Sequence, residues 1–219
     1  MKTNTVRLVL LASLIAPILP GCSVGRSAYY SAESAIGRQK RDIFVSRVKA
    51  TRDDQELAKQ QFKTTLERFQ DVTSFKGGEL EAKYKKLNTS YNQCQDRANA
   101  VTKRIKSVEQ VASDMFKEWA DENGQISNAD LRRENEKKLD ASKDRYRELL
   151  ALMHKSEARM QPVLRTFNDT VLTLKHDLNA AAVASLQGTA VGIDADVTAL
   201  IKDMDASIAE ADAFVKQMK

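Results

Sequence analysis

Beyond residue 21 the chain has almost nothing that breaks a helix. Of its three prolines only Pro162 lies there, and its glycines (Gly25, Gly37, Gly77, Gly78, Gly124, Gly188 and Gly192) are thinly spread. So few turn-formers exclude a turn-rich β architecture and favour long helices. Cysteine is as scarce: Cys22 and Cys94 are the only two, which excludes a disulfide framework. Aromatics make up 6% of the chain and never interleave with a basic run, so base stacking on single-stranded nucleic acid has no support. The two histidines, His154 and His176, are 22 residues apart on one expected helix, too far to share a zinc ion. The Glu-x-x-His pairs of a di-iron bundle are missing, as is a phosphate-binding Gly-x-x-x-x-Gly-Lys-Ser/Thr loop. After Gly77-Gly78 comes Glu79, whose carboxylate repels phosphate. With no convergent set of titratable groups, the expectation is a protein that is not an enzyme, with no catalytic residue, cofactor, metal site or small-molecule substrate.

What is present begins at the N-terminus. Lys2 and Arg7 form a basic start, Leu8 to Leu19 an apolar run, and Leu19-Pro20-Gly21-Cys22 closes it. The run is too short for a bilayer span of about 20 residues, but it has the layout of a secretory signal peptide. A cysteine directly after the cleavage point resembles the lipobox of bacterial lipoproteins, and that resemblance implies that Cys22 carries fatty acids such as palmitate. The expected organisation is a signal peptide at 1–21, a lipidated tether at 22–26 and one helical domain at 27–219. The address this implies is a Gram-negative envelope. Ser23, where an aspartate would retain the protein in the inner membrane, points to the outer membrane facing the periplasm.

The full chain carries +5, and loss of Lys2 and Arg7 leaves about +3. Charges of both signs alternate as on solvated helix faces, so nucleic acid is not an expected partner. One asymmetry stands out. Residues 26–52 are basic, and Arg38, Lys40 and Arg41 are candidate contacts with anionic lipid heads beside the anchor. The last helix carries Asp194, Asp196, Asp203, Asp205, Glu210 and Asp212, so the alternative is solvated faces, with the two segments pairing as one form of it.

The strongest pattern runs from Leu80 through Tyr84, Leu87, Tyr91, Cys94, Ala98, Val101, Ile105, Val108, Ala112 and Met115 to Trp119, at alternating spacings of four and three. This period of 3.5 predicts a helix supercoiled with partners. On this seam Cys94 reads as a small buried residue, with an intermolecular disulfide as the alternative. A preceding helix is expected from about Ser27 to Phe75, with Phe44, Val48, Ala58, Phe62, Phe69 and Val72 on the same grid and looser packing at Thr51 and Gln55. Lys76-Gly77-Gly78 ends it. Ser127 with Asp130 suggests a capping box for a third helix, whose stripe runs from Leu139 to Leu178 and kinks at Pro162. Gly188 and Gly192 suggest a third break, followed by a shorter last helix from Ile193 to Met218. The fold expected is all-α: an elongated antiparallel coiled-coil bundle of about four helices, a three-helix shaft with the fourth closing one end.

Several segments also resemble a known family: Lys40-Arg41-Asp42-Ile43, GGELEAKYKKLN at 77–88, NADLRRENEKKL at 128–139, LKHDLNAAAVASLQG at 174–188 and SIAEADAFV at 207–215. They are similar to uncharacterised proteobacterial lipoproteins with a helical coiled-coil domain of unknown function. Some relatives bear the label of a DNA-repair ATPase, which fits neither the missing nucleotide loop nor the export signal. The resemblance supports fold and location and brings no catalytic residues. The expected role is an envelope scaffold, spacer or adaptor, tethered to the membrane through Cys22 and meeting a protein partner or a second copy through its helices. Two alternatives are a bundle holding a small apolar or lipid ligand among Met115, Trp119, Met153, Met160 and Phe167, and a coiled-coil relative of DNA-repair ATPase arms.

Overall fold

The computed structural model describes residues 40–218. Within them lie four helices: α1 Lys40–Thr73, α2 Leu80–Gly124, α3 Ala129–His176 and α4 Ala180–Gln217. The described residues are helical apart from short connections, in line with the all-α expectation. At about 1.5 Å per residue, the 45 residues of α2 and the 48 of α3 run roughly 70 Å each.

Each connection has a local cause. Between α1 and α2, Gly77 and Gly78 take φ of 145° and 105°, which a side chain would resist. The turn before α3 is capped by Asn128, one residue after the expected Ser127. Its Oδ1 accepts from the backbone N–H groups of Asp130 (3.0 Å) and Leu131 (3.1 Å). The third break lies at Asp177–Asn179, not at Gly188 and Gly192. Asn179 Oδ1 accepts from Ala182 N at 2.9 Å, and three alanines, the best helix formers, then carry the chain into α4. Both glycines sit inside α4, and Leu178, expected on the α3 stripe, lies in the turn and is exposed. α3 passes through Pro162 without ending. Pro162 and Ala158 are both exposed, so the carbonyl that loses its partner can be solvated.

Because α4 begins early and has 38 residues, it is not a short lid. It packs along both α1 and α3, while α2 packs along α1 and α3 on the other side. The four helices therefore close a ring in up-down-up-down order, in place of the expected three-helix shaft. The register follows from side-chain pairs. Lys40 meets Glu118 at 2.9 Å, and Arg52 meets Asp212 at 2.5 Å. Lys59 meets Asp205 at 2.8 Å, and Gln70 Nε2 donates to Asp194 at 3.0 Å.

The heptad seam of α2 is the core, as its period predicts: Leu87, Cys94, Ala98, Val101, Ile105, Val108 and Ala112 have no exposed surface. At one level each helix supplies one ring. Phe44 stands edge-on to Phe214 (centroids 5.5 Å, 88°), Tyr146 (5.8 Å) and Phe116 (6.2 Å). Rings of this size each contribute a large apolar burial, and edge-to-face contact adds to it. Toward the other end Phe69 faces Phe167 at 6.2 Å.

Candidate functional site

The interior is not uniformly apolar. Gln55, on the core grid of α1, is fully buried. Its Nε2 donates to Ser156 Oγ of α3 and Ser207 Oγ of α4, each at 3.0 Å. Ser207 Oγ also reaches Gln55 Oε1 at 3.1 Å, and Ser156 Oγ donates to Met153 O at 2.8 Å. The looser packing expected at Thr51 and Gln55 is thus a correction. Both are fully buried, and each is satisfied, Thr51 through Arg47 O at 2.8 Å.

A second polar layer lies some ten residues along α1. Thr65 Oγ1 and Ser90 Oγ are 2.9 Å apart, and Gln61 Nε2 donates to Ser90 Oγ at 3.0 Å and Ser90 O at 3.1 Å. Cys94 is buried beside them. Burial pushes its thiol up to about 12, against a weaker opposing hydrogen bond with Thr65.

On the α3–α4 side, the Asp203 carboxylate is almost covered and meets Lys155 Nζ at 2.8 Å and the Arg159 guanidinium. Desolvation pushes its acidity down, but the two cations outweigh it and hold the carboxyl below its ordinary value. On the α2–α3 side, His154 bridges Glu109 of α2 through Nε2 (2.9 Å) and Glu157 through Nδ1 (3.0 Å). Desolvation works against its charge, and the two carboxylates reverse this and raise its pKa.

Of the residues singled out by sequence, Cys22 and Arg38 lie outside the described residues, as does the start of the first helix. Lys40 and Arg41 occupy the first turn of α1. Lys40 is paired with Glu118, and Arg41 Nη2 donates to the carbonyl of Met218. Arg52–Asp212 pairs the end of the basic 26–52 stretch with acidic α4, and Lys59–Asp205 extends the same contact beyond it. His154 and His176 are apart and exposed. Met115, Met153, Met160 and Phe167 are buried and Trp119 is half-buried, in successive layers of the core. A cavity of about 310 Å³ does occur, but on the α1–α2 surface, lined by Gln61, Gln93, Asp96, Arg97 and Ala100, and by none of those five. Among the described residues no group of His, Cys, Asp and Glu is placed to hold a metal ion. No described helix is long and apolar enough to cross a membrane.

Sequence reasoning missed the Gln55–Ser156–Ser207 layer. Its signal was present: each residue falls on the core grid of its own helix, between buried neighbours such as Met153 and Met160, or Met204 and Ala211.

Fold and polar interior together define a long antiparallel four-helix bundle crossed by two buried polar layers that join its helices. The chain belongs to the family described as "Protein of unknown function (DUF2959)", whose model matches residues 29–218. No curated protein and no solved structure matches it.

Proposed function

We propose that this protein is a proteobacterial envelope lipoprotein without enzymatic activity, a helical spacer or scaffold held to the membrane by an acylated Cys22. The observation that carries the proposal is the order of basic start, apolar run and Leu19-Pro20-Gly21-Cys22. The family match covers residues 29–218, beginning seven residues after Cys22. The buried polar side chains Gln55, Ser156, Ser207, Thr65 and Ser90 are engaged within the bundle, and the charged faces of the described helices are the surfaces left to meet a partner. Ser23 favours the outer membrane, and the basic stretch that includes Arg38, Lys40 and Arg41 would lie toward the lipid heads.

The test is metabolic labelling of cells with a tagged fatty acid. The wild type should incorporate label and fractionate with membranes, and Cys22→Ala should do neither. Equal labelling of both, or none on the wild type, would overturn the anchor. In-cell crosslinking from exposed mid-helix positions would then identify what the bundle holds.

A further inference from the structure

We infer that the Gln55–Ser156–Ser207 layer is a register lock: it selects one sliding position of α3 and α4 against α1, and a heptad-slipped bundle is what it excludes. A 3.5-residue apolar repeat maps onto itself when one helix slides by seven residues, so apolar packing alone discriminates weakly between registers. Here the positions one heptad away are all apolar. Seven residues either side of Ser207 stand Leu200 and Phe214, either side of Ser156 stand Leu149 and Val163, and either side of Gln55 stand Val48 and Phe62. All six are buried apolar residues.

A slip in either direction would therefore place the fully buried Gln55 amide against hydrocarbon. Its donors and acceptor would be left unpaired in a dry core, which is far worse than a lost surface contact. Not every buried hydroxyl carries such information. Thr51 and Thr170 bond to Arg47 O and Thr166 O one turn back on their own helices, and would do so in any register. Gln55 reaches across to two other helices at once, and Thr65 with Ser90 independently ties α1 to α2. Through these two layers α1 fixes the axial position of every other helix. A one-heptad slip would displace the helices by about 10 Å, so the lock sets the geometry of the rod.

The test is a zero-length carbodiimide crosslink on the full chain, read by peptide mass. In the native register Lys59 lies 2.8 Å from Asp205, and Lys155 lies 2.8 Å from Asp203. Slipped registers bring Asp212 to Lys59, or Glu210 or Asp196 to Lys155. The wild type should give Lys59–Asp205 and Lys155–Asp203. Gln55→Leu/Ser156→Ala/Ser207→Ala should stay helical, with a Tm at least equal to the wild type. It should lose Lys59–Asp205 in part and raise the slipped products by at least about tenfold, the discrimination expected from one unpartnered buried amide. Gln55→Met, which keeps both serines, should move the same way to a smaller extent. Native products alone in both variants would overturn the inference. So would outright unfolding of both, since the layer would then supply stability, not choice of register.

Discussion

Phe44 meets Phe214 edge to face, with ring centroids 5.5 Å apart, and so joins the first turns of α1 to the last turns of α4. Phe44 is fully buried and touches rings from all three other helices. Truncation to alanine would open a cavity that four helices cannot collapse together. Phe44→Ala should destabilise the bundle by about 3–5 kcal/mol, a fall of roughly 6–20 °C in Tm by circular dichroism. Phe44→Leu should recover more than half of the loss.

Cys94 gives a chemical readout of the same core. It has no exposed surface, and burial raises its pKa to about 12. Only the thiolate attacks a disulfide reagent. At pH 8 the folded protein should therefore react with an aromatic disulfide about a thousandfold or more slowly at Cys94 than the denatured chain, read as peptide modification against time. Equal rates would mean that α1 and α2 part readily at the Thr65–Ser90 layer. A disulfide between copies through Cys94 would require the same opening.

Cys94 also marks how far sequence alone could go. Its burial was legible, because the 4-3 spacing from Leu80 to Trp119 leaves one place for each seam residue. The antiparallel order of α1 and α2 followed from the short connection at Gly77-Gly78. The end of α3 was not legible from glycine content. Gly188 and Gly192 have space and solvent around them, and an asparagine cap at 179 decides the matter. That cap moves the start of α4 some thirteen residues ahead of Ile193 and turns a lid into a full fourth wall. The polar layers were hidden for a different reason. A glutamine on one seam reads as a flaw until serines on two other seams are known to stand at its level.

The Asp203 cluster predicts acid sensitivity with a definite sign. Its folded pKa is lowered, so its contribution is present above the unfolded value near 3.8 and is lost as pH falls through the lower folded value. Asp203→Ala should cost about 1–3 kcal/mol at pH 7, moderated because Lys155 and Arg159 are half-exposed and can be solvated. The difference between wild type and variant should shrink as urea melts are repeated toward pH 3 and below. A gap that stays constant would assign the loss to packing.

His154 predicts the opposite trend. Its folded pKa is raised above 6.5, so its clamp on Glu109 and Glu157 is fully present below about pH 6.5 and fades as pH rises through the folded value. The ring is nearly half-exposed, and solvent screening keeps the effect to a few tenths of a kcal/mol. Wild type should exceed His154→Ala in urea midpoint by more at pH 5.5 than at pH 8.5, and salt should narrow that excess.

Gly188 and Gly192 supply the last test, and the direction is stabilising. Both lie inside α4, and a methyl group built at either meets nothing within 4 Å. Neither position needs positive φ. Glycine in a helix interior leaves the unfolded chain more freedom, and alanine at a compatible site removes that freedom at no steric cost. Each Gly→Ala change should therefore add about 0.5–1 kcal/mol, and the pair about twice that if additive, raising Tm by roughly 2–8 °C. If the pair lowers Tm instead, the segment around 188–192 is not helical in solution, and α4 would begin near Ile193 as the glycines first suggested.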